Sequence, residues 1–230
     1  MDEKLRRLAA HADKRAGGAA AFSYHSGERQ TGLTLADIRA DHVARYVWAR
    51  DVIKAKVAQP TQGLDVFCGN GYGCTLLSEI APVLGIDGSA EAIEVARTSF
   101  AGTEITYEHR VFPFTDVLPD ADFIACLESL EHVIDAGLFF ATLAKSLRPG
   151  GVLALSTPHE ARFPHSPVVT PFHIRHFQIP EVLAMAKASG LRLVDWVGQT
   201  RGEDQAPQDP QSLFCDPAEG MFVLFAFQKP

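Results

Sequence analysis

A run of ten residues, Leu64-Asp65-Val66-Phe67-Cys68-Gly69-Asn70-Gly71-Tyr72-Gly73, constrains the fold of this chain more than any other stretch. Pro60 and Gly63 break the preceding segment, and the apolar run from Gly63 to Phe67 has the length of a short buried strand. Three alternating glycines follow, and Cys74 to Ile80 then has a helical pattern. Glycines at this spacing let the backbone bend sharply and let a ligand approach the main chain. Strand, glycine turn and helix start together form the opening of a nucleotide-binding βαβ unit.

The rest of the chain repeats that alternation. Val83 to Ile86 is a second apolar strand ending in Asp87, 16 residues past Gly71, and the helix Ala90 to Ser99 follows. An acid at that separation suits a pair of ribose hydroxyls. Ile105 to Glu108 and Phe123 to Cys126 are further strands. Leu147-Arg148-Pro149-Gly150-Gly151 closes a helix and launches the strand Val152 to Ser156. Pro180 and Gly190 bound a last helix, and Leu191 to Gly198 and Met221 to Gln228 are the final strands. Upstream, Asp2 to Arg15 is a first helix stopped by Gly17-Gly18. Thr34 caps a long helix from Leu35 to about Ala58, with Asp37 as its N3 acid, that covers the edge of the sheet. The expectation is a single domain over 1–230, with a helical N-terminal cap (1–58) and an irregular lid (157–178).

The GxGxG spacing preceded by Asp65, followed by Asp87 and then by Glu128-Ser129-Leu130-Glu131-His132-Val133, resembles class I S-adenosylmethionine-dependent methyltransferases over about residues 40–198. A dinucleotide fingerprint needs a third glycine where this chain has Cys74, which turns the reading away from a NAD-dependent oxidoreductase. An acid at the strand end repels a pyrophosphate but favours the ammonium of a methionyl group, directly or through water. The resemblance implies a Rossmann-like α/β fold with a seven-stranded, mostly parallel sheet, helices on both faces, and a last strand inserted antiparallel. It implies S-adenosyl-L-methionine as the methyl donor. The donor-binding residues would be Asp65, Phe67, Cys68, Gly69, Asn70 and Gly71, then Asp87, Gly88 and Ser89. Glu108, Val111 and Phe112 would lie at the adenine, and Leu127 and Glu128 at the methionine.

Methyl transfer requires an aligned acceptor, a dry site and, for oxygen acceptors, a proton acceptor. His132, His159, His165, His173 and His176 concentrate at one strand edge, and His132, His173 and His176 are the catalytic candidates. On a helix, Glu128, Glu131 and His132 share a face. With His176 or His173 from the lid they form a ligand set for Mg²⁺, Mn²⁺ or Zn²⁺, similar to the site proposed for ubiquinone-biosynthesis O-methyltransferases. Many family members carry the same stretch with no metal implied, and there Glu131 and His132 make structural hydrogen bonds. Arg175 has two readings, a partner for an anionic substrate group or a pin for the lid.

A net charge of −7 makes nucleic acid an unfavourable partner. Four cysteines without CxxC spacing, no apolar span and no leader point to a cytoplasmic enzyme acting on a small molecule, with oligomeric state open. The leading expectation is O-methylation of a hydroxylated small molecule or glycan. N-methylation of a small amine and RNA 2′-O-methylation are the enzymatic alternatives, and a non-catalytic donor-binding subunit is the reading from a different class.

Overall fold

The computed structural model describes residues 23–201, apart from residue 28, and residues 210–230. The expected first helix and its glycine stop lie outside the described residues. The described strands are β1 (Gly63–Val66), β2 (Val83–Asp87), β3 (Ile105–His109), β4 (Ala121–Leu127), β5 (Leu147–Pro158), β6 (Arg192–Gln199), β7 (Phe214–Cys215) and β8 (Phe222–Gln228). They form one sheet in the order β3-β2-β1-β4-β5-β8-β6-β7. The first five are parallel to one another, and β8 inserts antiparallel between β5 and β6. Among the described residues the strand count is eight rather than seven, because Phe214–Cys215, between the last two expected strands, pairs with the end of β6. A two-residue strand carries no period for sequence reading to detect.

Among the described residues five α-helices cover the sheet: α1 (Ala40–Lys56), α2 (Tyr72–Leu77), α3 (Ala90–Ser99), α4 (Ala136–Ser146) and α5 (Ile179–Ala188). Alternation along β4 shows how two cores arise. Phe123 and Ala125 face one side with Tyr46, Ala49, Ile53, Leu77 and Ile93 from α1, α2 and α3. Ile124 and Cys126 face the other side with Phe139, Phe140 and Leu143 of α4 and Val182 and Ala186 of α5. A strand buried on both faces is apolar at nearly every position, which is why β1 and β4 read as short apolar runs, with Asp65 the buried exception in β1.

Three expectations are corrected. The helix expected from Leu35 to Ala58 is a 3₁₀ turn, Leu35–Asp37, followed by α1. Asp37 accepts from the Thr34 amide (3.0 Å) and hydroxyl (2.7 Å), so the cap exists, but Ile38 and Arg39 are extended and break the run. Helix α1 also packs across β4, β5 and β8 rather than along the sheet edge. The Glu128–Val133 stretch is not an α-helix; it holds a single 3₁₀ turn, Leu130–His132. Among the described residues no helix is long and apolar enough to cross a membrane.

Candidate donor cleft and the histidine group beside it

Parallel strands end at a common edge, and there a cleft opens over the tips of β1, β2 and β4. Its wall includes Arg29, Gln30, His42, Tyr46, Phe67, Cys68, Gly69, Asn70, Tyr72, Asp87, Gly88, Val111, Phe112, Leu127, Glu128, His132 and Phe172. Of the fourteen expected donor contacts, Phe67, Cys68, Gly69, Asn70, Asp87, Gly88, Val111, Phe112, Leu127 and Glu128 line it. Asp65, Gly71, Ser89 and Glu108 stand outside that lining. Ser89 caps α3, accepting from the Ala92 amide, and Glu108 accepts from Arg110 Nε at 2.6 Å.

The three glycines of the loop have three different reasons. Gly69 has φ +58, and a Cβ there would meet nothing within 4 Å, so its side-chain position is open. Gly71 has φ +86, and a Cβ would lie 2.5 Å from the Tyr107 hydroxyl. At Gly73 a Cβ would lie 2.1 Å from the ring of Tyr46, which reaches over from α1. Only the first leaves room for a ligand; the others admit two tyrosines.

Asp65 is fully buried behind this wall. Tyr46 donates its hydroxyl to both Asp65 oxygens, at 3.1 and 3.2 Å, and the Cys74 thiol donates to Oδ2 at 3.3 Å. Burial pushes the carboxyl up to about 7, with its two hydrogen-bond donors opposing the rise. The sequence expectation has Asp65 favouring a donor ammonium directly or through water; in the structure the acid meets Tyr46 and Cys74, and Tyr46 lines the cleft where Asp65 does not.

Asp87 does face the cleft. Its Oδ2 accepts from the Gly69 amide at 2.9 Å and its Oδ1 from the Ser89 amide at 2.7 Å. Arg29 Nη1 lies 3.2 Å from Oδ2. Backbone amides thus aim a carboxylate of 1% exposure along the cleft, the arrangement needed to accept from a vicinal diol. An open glycine next to this aimed acid fits an adenosine-bearing donor.

Two residues here have unusual backbones. Among the described residues three non-glycines have positive φ, and two of them, Phe67 (φ +67) and Glu128 (φ +51), are cleft residues just past the ends of β1 and β4. Each such conformation costs roughly 1–3 kcal/mol and persists where surrounding contacts hold it. Sequence reading missed this strain, because no residue type marks it.

Beyond Glu128 lies the histidine group. Glu131, His132 and His173 each offer a ligand atom within 4.8 Å of the others. Glu131 is fully buried and accepts from the Thr157 hydroxyl at 3.3 Å. His132 Nδ1 donates to the Phe172 carbonyl at 3.2 Å, and the His132 and His173 rings meet edge to face, 4.8 Å apart. One carboxylate and two imidazoles suit a divalent transition metal better than Mg²⁺. The expected ligand set is corrected at two positions. Glu128 precedes the 3₁₀ turn and turns to Ser156 Oγ (2.7 Å). His176 stands behind His173, its Nε2 2.7 Å from His173 Nδ1, while its Nδ1 donates to the Phe163 carbonyl at 2.6 Å. Burial holds His176 below the ordinary imidazole range.

The remaining candidates are placed elsewhere. His159 Nδ1 donates to the Gly220 carbonyl, and His165 Nε2 donates to the His173 carbonyl. Arg175 pairs with Glu181 and stacks over Phe177 at 4.5 Å, which makes it a pin for the segment. His42 lines the cleft, held well below the imidazole range by burial and by Arg45, Arg39 and Arg201.

Comparison with known proteins agrees with this geometry. The family model of a methyltransferase domain matches residues 34–195. A probable S-adenosylmethionine-dependent methyltransferase of Mycolicibacterium smegmatis is 29% identical over 173 residues, covering 70% of this chain and 66% of that protein. A ubiquinone biosynthesis O-methyltransferase of Sinorhizobium medicae is 37% identical over 133 residues, covering 54% of this chain and 51% of that protein. The chain thus spans about half to two thirds of the length of these relatives. The crystal structure of the N-methyltransferase NodS from Bradyrhizobium japonicum with S-adenosyl-l-homocysteine superposes with a TM-score of 0.64, covering 100% of both chains at 15% identity. The methyltransferase-domain match takes in well over half of the sequence, glycine loop and Asp87 included: this chain belongs to the class I S-adenosylmethionine-dependent methyltransferase family.

Proposed function

We propose that the chain transfers a methyl group from S-adenosylmethionine to a hydroxylated small molecule, a phenol or a saccharide. The observation that carries this reading is the continuity of the cleft. Asp87, Gly69, His132 and Phe172 all line it, and His132 belongs to the Glu131–His132–His173 group. Gly69 and Asp87 hold the adenosine half of the donor, and Val111 and Phe112 give the base an apolar wall. His132 and His173 stand where a proton leaves an acceptor hydroxyl. A divalent cation bound by Glu131, His132 and His173 would lower the pKa of a hydroxyl brought to it. Phe172 and the chain around it exclude water from the acceptor.

The test is a methyl-transfer screen with labelled cofactor over phenols, sugars, amines and short RNA, each with and without chelator. Transfer to a hydroxyl acceptor that chelator suppresses is expected. Transfer confined to amines and indifferent to chelator would replace this reading with N-methylation, which the Glu128 carboxylate in the cleft wall favours as the second reading. The net charge of −7 keeps RNA behind both.

A further inference from the structure

Ser156 and Glu128 are joined by a reciprocal pair of hydrogen bonds. The Glu128 amide donates to Ser156 Oγ at 2.9 Å, and Ser156 Oγ donates back to Glu128 Oε1 at 2.7 Å. The same amide lies 3.1 Å from the Ser156 carbonyl oxygen. Ser156 is fully buried in β5 and has no route to the cleft of its own. On the other side of the carboxylate, Arg45 Nε stands 4.0 Å from the same Oε1. Arg45 is itself fixed, donating to Gln199 at 2.7 Å and lying 4.4 Å over the Phe222 ring. Oε1 is therefore tied inward between two buried groups, and the remaining oxygen, Oε2, is the part of the carboxylate left to the cleft that Glu128 lines.

The sheet order says where along the cleft this happens. Strand β4 lies between β1, with the glycine loop and then Asp87 of β2 on one flank, and β5, which leads to the histidine-bearing segment, on the other. Glu128 immediately follows β4, so it stands at the junction between the donor half and the acceptor half. Its positive φ throws the side chain out of the strand's regular direction, and the Ser156 pair holds that conformation.

We infer that Ser156 is a positioning residue. It clamps Glu128 so that Oε2 accepts a hydrogen bond from the O–H or N–H of the acceptor atom at the point of transfer. The inference rests on the donor-site reading above and deepens it, because it selects acceptors that present a hydrogen-bond donor and disfavours carboxylates. A hydroxyl or amine pinned in this way keeps a lone pair directed at the methyl group.

Two donor-site ligands test it by calorimetry without knowledge of the acceptor. S-adenosylhomocysteine has nothing at the transfer point, whereas sinefungin carries an amine there. E128Q is expected to weaken sinefungin about tenfold more than it weakens S-adenosylhomocysteine, the scale of a charge-assisted hydrogen bond. S156A is expected to weaken sinefungin selectively as well, and E128Q/S156A to be no weaker than E128Q alone. Retained S-adenosylhomocysteine affinity reports that S156A is folded; if it is not, S156C is expected to show the same selective loss. Equal losses for both ligands, unchanged sinefungin affinity in S156A, or additive losses in the double variant would overturn the inference. If neither ligand binds the wild-type protein, the donor-site reading falls and takes this inference with it.

Discussion

The Tyr46 hydroxyl sits 3.1 and 3.2 Å from the two oxygens of Asp65, and the Tyr46 ring occupies the space where a Cβ on Gly73 would lie. One tyrosine from α1 thus explains both the third glycine of the loop and the seclusion of the acid before it. Among the described residues no Arg, Lys or His forms an ion pair with that acid.

This seclusion has a pH signature. Burial pushes the Asp65 carboxyl up to about 7 in the folded chain from an ordinary value of 3.8, so the folded state holds a proton that the unfolded chain has already released between those values. A raised pKa contributes stability that is complete below about pH 4 and is lost as pH rises to about 7. D65N removes the titration while keeping an acceptor for Tyr46. Chemical denaturation is expected to show D65N gaining roughly 2 kcal/mol or more over wild type between pH 5 and pH 8. A stability difference that does not change between pH 5 and pH 8 would show that Asp65 is ionised throughout.

Gly69 and Gly71 make a paired prediction. G69A adds a methyl group to open space at a left-handed position, a cost of about 1 kcal/mol in stability. Its larger effect is expected on S-adenosylhomocysteine affinity, because the methyl enters the cleft. G71A drives its Cβ into Tyr107 and is expected to cost about 3 kcal/mol, lowering the melting temperature before any ligand is added. Thermal melts and titrations of both variants check the pair, and the reverse ranking in stability would contradict the assignment of the two glycines.

Metal binding separates the histidines. If Glu131, His132 and His173 hold a cation, H132A and H173A should each abolish tight Zn²⁺ or Mn²⁺ binding in equilibrium dialysis. E128Q should leave it intact, because Glu128 is turned to Ser156. H176A should weaken it by about 10-fold to 100-fold through loss of the support behind His173. Equal loss in H132A and E128Q would restore the helix-face ligand set read from the sequence.

The contrast between Asp87 and Glu128 shows what could be read in advance. Asp87 was legible because a strand, a glycine loop and a fixed separation are all local patterns. The parallel sheet was legible for the same reason, since β1, β2 and β4 are short apolar runs bounded by breakers. Glu128 was assigned to a helix because an i, i+3, i+4 pattern looks helical. Its conformation is decided instead by Ser156, 28 residues away, and no local pattern carries that contact. The choice between His173 and His176 likewise depends on how an irregular segment folds back over Glu131. The Thr34–Asp37 cap was read correctly, yet it closes one 3₁₀ turn, because Ile38 and Arg39 take extended backbone.

The central claim is that Asp87 receives the ribose of an adenosine-bearing methyl donor. Calorimetric titration of S-adenosylhomocysteine into the wild-type chain and D87N tests it most directly. The account predicts saturable one-to-one binding to wild type and a loss of about tenfold or more in D87N, because hydrogen bonds to a charged acceptor are worth about 1.5–3 kcal/mol. No binding to wild type, or equal affinity in D87N, would contradict it.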